Sequence, residues 1–124
     1  MLDLHLWKLT DKKQLVNKAL GHAWKYGHVH WNIEGGSKIV DIVDETSGNL
    51  LVPNKGKPLN RNTVDLEIRN KFQNQKWQFV KSSDIGDTNS GWRKVKHNTS
   101  GYFLEVSDSG DQISIQGLCN LQKK

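Results

Sequence analysis

The chain has one cysteine, Cys119, in 124 residues. It cannot close an internal disulfide, and it cannot build a cysteine-based zinc site alone. Long apolar runs are equally scarce. None exceeds a few residues, far short of the ~20 that cross a bilayer as a helix. The opening residues, MLDLHLWKLT, carry no basic segment followed by an apolar one, so no secretory leader is expected. Together these absences predict a cytoplasmic protein with no membrane span. No five-residue basic run occurs, and Gly35-Gly36 is an isolated turn dipeptide rather than a phosphate-cradling loop. What is present suits one domain. The hydrophobic fraction is 35%, with 11 glycines besides. That permits a modest core and excludes a disordered polyelectrolyte. The formal charge of +5 suits an acidic partner, but it is also ordinary for solubility.

Three segments align as an internal repeat: KQLVNKALGHAWKY (Lys13 to Tyr26), VDIVDETSGNLLVP (Val40 to Pro53) and RKVKHNTSGYFLEV (Arg93 to Val106). Gly21, Gly48 and Gly101 share a column. Leu15, Ile42 and Val95 lie six positions before them, and Ala23, Leu50 and Phe103 two positions after. The pattern reads as a strand, a polar turn closed by a glycine that supplies positive φ, and a second strand. Lys13 to Tyr26 has a rival reading. Leu15, Val16, Ala19, Leu20, Ala23 and Trp24 also sit at helical spacing. The repeat is favoured, because local propensity yields to tertiary context.

Tryptophan marks the repeat a second time, in LHLWKL (Trp7), HVHWNI (Trp31) and NQKWQF (Trp77). Trp77 follows Gly48 by 29 residues. Counted round through the chain ends, Trp7 follows Gly101 by 30, whereas Trp31 follows Gly21 by only 10. The N-terminal strand is therefore expected to complete the last repeat, and the first repeat to lack a hairpin the others carry.

Gln75-Lys76-Trp77, with Asn74 before it, resembles the Q-x-W signature of the ricin B-type β-trefoil lectins. Ser100 to Val106 and Gln14 to Trp24 look like the strand-turn-strand opening each repeat of that family. The resemblance covers most of the chain as three imperfect copies. It implies an all-β, pseudo-threefold symmetric β-trefoil: six strands in a barrel and six in capping hairpins. The repeats would run approximately 8–34, 35–80 and 81–124, with 1–7 closing the last. Trp7, Trp31 and Trp77 would be core residues, as aromatics in a repeated apolar pattern usually pack.

The resemblance also implies a non-catalytic, lectin-like function with a glycan or glycoconjugate as partner. Galactose-binding members place an Asp after the turn, an aromatic ring on the next hairpin, and an Asn beside the Q-x-W. In the third repeat Glu105 takes the Asp position and Asn120 lies near the amide position, but Gln116 stands where the ring would be. Tyr102, Asp108 and Asp111 are neighbours. In the second repeat Asn74 and Glu67 are candidates, while Val52 replaces the acid. In the first, Lys25 replaces it. No repeat keeps the whole set, and a site without its ring loses the stacking platform. The third repeat is the expected site.

Other chemistry is thin. His28-x-His30 has a metal-capable spacing but no Cys or carboxylate beside it. Cys119 reads as a small buried thiol. Asp41, Asp44 and Glu45 suit a polar turn rather than a catalytic carboxylate pair. No nucleophile–base pair can be assembled, so no enzymatic activity, metal or cofactor is expected. Lys8, Lys12, Lys13, Lys18 and Lys25 crowd the first repeat among aromatics, but read as a solvated face, so nucleic acid is not the expected partner. The alternative function is a protein-binding trefoil, such as a protease inhibitor, acting through the long loop Asn54 to Asn62.

Overall fold

The computed structural model describes residues 3–69, 75–81 and 91–117. Ten strands follow in order: β1 (Trp7–Leu9), β2 (Leu15–Asn17), β3 (Trp31–Gly35), β4 (Val40–Asp44), β5 (Leu50–Pro53), β6 (Val64–Glu67), β7 (Trp77–Lys81), β8 (Arg93–His97), β9 (Phe103–Val106) and β10 (Ile113–Gln116). One turn of 3-10 helix, Asn54–Gly56, follows β5. No α-helix forms over residues 11–26. Leu15 pairs with Leu9 instead, and Leu15 is buried. No helix among the described residues is long and apolar enough to cross a membrane.

Register exposes a threefold repeat. In three antiparallel hairpins Trp7 faces Asn17, Trp31 faces Asp44 and Trp77 faces His97. Each tryptophan also meets, in a neighbouring hairpin, the residue four positions before that hairpin's own tryptophan partner. Trp7 pairs with Arg93 and Trp77 with Val40, while the Trp31 amide donates to the Lys13 carbonyl at 2.7 Å. These links run β1–β2–β3–β4–β7–β8 and return to β1, so six strands close a ring. Closure removes the unpaired edges that an open sheet would present.

The turn after each first strand repeats too. The amides of Gly21, Gly48 and Gly101 donate to the carbonyls of Asn17, Asp44 and His97 at 2.7, 2.8 and 2.8 Å. The three glycines have φ of 63°, 78° and 77°. That left-handed region is costly for a side chain and free for glycine. Residues 17, 44 and 97 brace the turn from within. Asn17 Oδ1 accepts from the Ala19 amide, Asp44 Oδ1 from the Thr46 amide, and His97 Nδ1 bonds the Ser100 hydroxyl.

The β5–β6 and β9–β10 hairpins cap the ring, attached by Val43 to Leu50 and by Lys96 to Phe103. Their inward residues, including Leu51, Val64, Leu104, Ile113 and Ile115, join Trp7, Trp31 and Trp77 in one buried cluster. No such hairpin follows Gly21. Residues 22–28 form turns, and Trp24 folds inward in place of a strand. Its ring packs edge-on against Trp7 at 4.9 Å and Tyr26 at 6.0 Å, and Tyr26 packs against Trp31 at 6.0 Å. Each edge-to-face pair contributes about 0.5–1.5 kcal/mol beyond its buried area. Aromatic side chains thus fill volume that strands fill elsewhere.

The missing hairpin leaves a trace. Trp77 Nε1 donates to the Leu51 carbonyl at 2.7 Å, and Trp7 Nε1 to the Leu104 carbonyl at 3.0 Å. Leu51 and Leu104 each lie three residues after the turn glycine. The equivalent carbonyl in the first lobe belongs to Trp24, where it accepts the Gly27 amide at 2.9 Å instead. Trp31 Nε1 is buried without a partner among the described residues.

Candidate functional site

In the third lobe, β9 and β10 pair with Glu105 opposite Ser114 and Phe103 opposite Gln116. Strand alternation sends Leu104, Val106, Ile113 and Ile115 to the core. Glu105, Ser114 and Gln116 share the other face, half-buried. The Gln116 amide donates to the Ser114 hydroxyl at 3.0 Å. Among the described residues no hydrogen bond or ion pair engages the Glu105 carboxylate. Burial lifts its pKa above the ordinary carboxylate range, and the negative charge of Asp108 adds to the shift. Asp108 and Asp111 are exposed in the β9–β10 turn. Tyr102 is half-buried and packs against the core cluster. Asn120 and Cys119 lie outside the described residues.

In the second lobe, Val52 occupies the position of Glu105 and is buried with Val43 and Leu50. Asp65 lies directly across from it and shares a strand face with Glu67, which is half-buried. Asp65 accepts from the Tyr26 hydroxyl, and the Lys25 ammonium lies 3.4 Å away. Burial alone would raise the Asp65 pKa. The Tyr26 hydroxyl, the Leu66 amide and Lys25 outweigh it and hold the carboxyl below its ordinary value. Tyr26 is pushed up, chiefly by burial and then by its bond to Asp65. The outer carboxylate of the second lobe is thus committed to a clamp on the first. The alternation Val64-Asp65-Leu66-Glu67 is the signal that places Asp65 beside Glu67. Asn74 lies outside the described residues.

In the first lobe Lys25 stands at the position of Glu105. With no hairpin there, a groove of about 400 Å³ opens, lined by His22, Trp24, Lys25, His28 and Asp111 among others. A second groove of about 300 Å³ adjoins it, sharing Lys25 and Asp111 and reaching Asp65. The third-lobe turn closes one wall, its Gly110 carbonyl accepting the Lys25 amide at 2.8 Å. The packing is tight: a Cβ on Gly110 would lie 2.2 Å from the Ala23 carbonyl oxygen. His28 and His30 are exposed just before β3, and His30 Nδ1 lies 2.6 Å from the Lys12 carbonyl. Among the described residues no three metal-ligating side chains converge. Asp41 is buried on β4 rather than in a turn, and Lys76 bonds both its carboxylate oxygens, at 2.9 and 3.0 Å.

No protein-family model matches the sequence, and no curated protein matches it. Among solved structures, the crystal structure of a designed 3-fold symmetric protein, ThreeFoil, matches with a TM-score of 0.60. The match covers 89% of this chain and 76% of that one, at 18% sequence identity. The chain has a β-trefoil fold. At that identity the likeness concerns the fold and not the function, which rests on the site.

Within the trefoil, three of the first-lobe lysines are paired: Lys13 with Glu45, Lys18 with Asp3 at 3.2 Å, and Lys25 with Asp65. They point to three different surroundings rather than to one surface. Gln75 of the Gln-x-Trp motif does not line a lobe site. Its Oε1 bonds His97 Nε2 at 2.9 Å, behind the ring of Trp77. The loop from Asn54 to Asn62 is braced, because the Asn62 side-chain amide donates to the carbonyls of Asn54 and Lys57 at 3.1 and 2.7 Å.

Proposed function

We propose that the protein is a non-catalytic carbohydrate-binding module of the ricin B-type lectin-like kind, taking glycan on the outer face of the third-lobe hairpin. The observation that carries this reading is the carboxylate of Glu105. It is half-buried, engaged by no donor among the described residues, and shares its face with a hydroxyl and an amide. Two sugar hydroxyls can donate to its oxygens while Gln116 and Ser114 accept or donate in turn. Gln116 in place of a ring leaves no stacking platform, so binding is weak, with Kd in the millimolar range, about −4 kcal/mol. Asn120 belongs to the same proposal through its place in the sequence, and Glu67 with Asn74 forms a weaker second-lobe candidate. The test is a glycan array followed by titration of Glu105→Ala against the best hit. Removing the carboxylate should cost about 1–3 kcal/mol of binding. Unchanged binding with the fold intact would remove Glu105 from the site.

A second reading, a protein-binding trefoil, draws on the Asn54 to Asn62 loop. Besides the Asn62 brace, Asn60 Oδ1 accepts the Gly117 amide at 2.8 Å. Leu59 stands 61% exposed at the loop surface. A loop held in shape while presenting an apolar side chain loses little entropy on docking. A protease panel run beside the array separates the two readings.

A further inference from the structure

The outer face of the β7–β8 hairpin and its surroundings gather lysines, several of which enter no ion pair among the described residues. Gln78 pairs with Lys96 and Val80 with Lys94, so these four side chains share one face. Phe79 and Val95, which alternate with them, pack on the core. Lys94 is buried, only 6% exposed, so Lys96, about 7 Å along the strand, is the lysine this strand offers to solvent. Beside them a cleft of about 350 Å³ runs between the β3–β4 turn and β7, lined by Ser37, Lys38, Gln78, Phe79, Val80 and Lys81. At the far edge Lys8 lies over the Trp92 ring at 4.5 Å. None of the five ion pairs among the described residues uses Lys8, Lys38, Lys81 or Lys96. The nearby carboxylates of the β3–β4 hairpin are already committed, Glu34 to Arg69 and Asp41 to Lys76.

We propose that this face and its cleft bind a linear anionic polysaccharide, one carrying sulfate or carboxylate groups. Lysine ammoniums act as point charges for such groups. The Ser37 hydroxyl and the Gln78 amide offer hydrogen bonds to the sugar hydroxyls between them. Single-stranded nucleic acid would need open aromatic faces on which bases stack. The rings here are occupied, and Phe79, which lines the cleft, packs against the core. The Lys94 ammonium lies over Phe103 at 5.5 Å, and Phe103 is only 8% exposed. Lys8 covers Trp92. This site is separate from the Glu105 face and stands whether or not that face binds sugar.

The test titrates the whole chain with a heparin octasaccharide, with neutral dextran, and with a single-stranded oligonucleotide of matched charge. Heparin should bind, weakening as salt rises, and dextran should not. The triple variant Lys38→Gln, Lys81→Gln, Lys96→Gln should lose at least tenfold in heparin affinity. A control of equal charge change, Lys12→Gln, Lys55→Gln, Lys57→Gln, should stay within about twofold. Glu105→Ala should keep the wild-type heparin affinity. All substituted lysines are at least partly exposed, so melting temperatures should stay near wild type and confirm folding. Equal losses in both triple variants would reduce the effect to net charge and overturn the proposal. So would tighter binding of the oligonucleotide than of heparin, no heparin binding at low salt, or loss of heparin binding in Glu105→Ala.

Discussion

The first lobe and the other two solve one packing problem differently. The second and third lobes cover the ring with two-stranded hairpins, whose backbone carbonyls at Leu51 and Leu104 accept the indole donors of Trp77 and Trp7. The first lobe has too few residues for a hairpin and covers the ring with side chains, Trp24 and Tyr26. It fills the volume but forfeits the acceptor, so the Trp31 indole nitrogen has no partner among the described residues. The threefold pattern therefore rests on the ring strands and turn glycines. The caps are replaceable.

The sharpest break of that comparison is to open the ring itself. Deleting residues 1–9 removes β1, the strand that joins β2 to β8, and with it Trp7. Loss of a buried tryptophan alone costs about 3–5 kcal/mol. The deletion should leave no cooperative thermal transition, whereas an unchanged melting temperature would show that β1 does not close the ring. A finer probe sets two indoles side by side. Trp77→Phe and Trp31→Phe remove similar volume, but only the first leaves a buried carbonyl without its donor. Chemical denaturation should find Trp77→Phe less stable than Trp31→Phe by about 1–3 kcal/mol. Equal losses would mean that the Leu51 bond contributes nothing.

The smallest effect concerns the turn braces, Asn17, Asp44 and His97, which hold equivalent places. Only the third is an imidazole, and burial holds its pKa below the ordinary value. The unfolded chain takes up a proton near pH 6.5, about the ordinary value, that the folded chain resists. Stability should be full above that pH and decline as pH falls from about 6.5 toward the folded value. Asp65 contributes in a separate window. Its folded pKa is depressed, so its share is present above the ordinary Asp value and is lost in more acidic solution. His97→Asn, which installs the residue the first lobe uses, should flatten melting temperature between pH 7.5 and 5. A slope as steep as wild type would assign the dependence to another group.

The ring was legible because its demands are local. A turn at positive φ calls for glycine at 21, 48 and 101. A strand facing the core calls for Leu15, Ile42 and Val95, and a wide barrel floor calls for tryptophan. The cap of the first lobe was only half legible. Ala23 aligns with Leu50 and Phe103, yet Ala23 is exposed and Trp24 does the burying. Chain length between turn and tryptophan decided this, and residue type did not. Glu105 was read from its place in the resemblance, and its outward face shows only in the structure, where Leu104 and Val106 turn to the core. The Asp65 clamp was not legible, because Tyr26 and Lys25 come from another lobe. The same holds for the lysine face, whose members come from β1, the β3–β4 turn, β7 and β8. Crowding in sequence pointed instead to the first-lobe lysines, three of which are paired.

The link between Trp7 and Arg93 bears on how the molecule assembles. The β3–β4 and β7–β8 hairpins bring together residues close in sequence and can form as soon as their own segments exist. The ring cannot shut until β8 is available to β1, and Arg93 lies 86 residues after Trp7. Bringing such distant segments together carries a large loop-closure entropy. Closure is therefore the slow, late event, and until it happens β1 and β8 each present a bare edge to neighbouring chains.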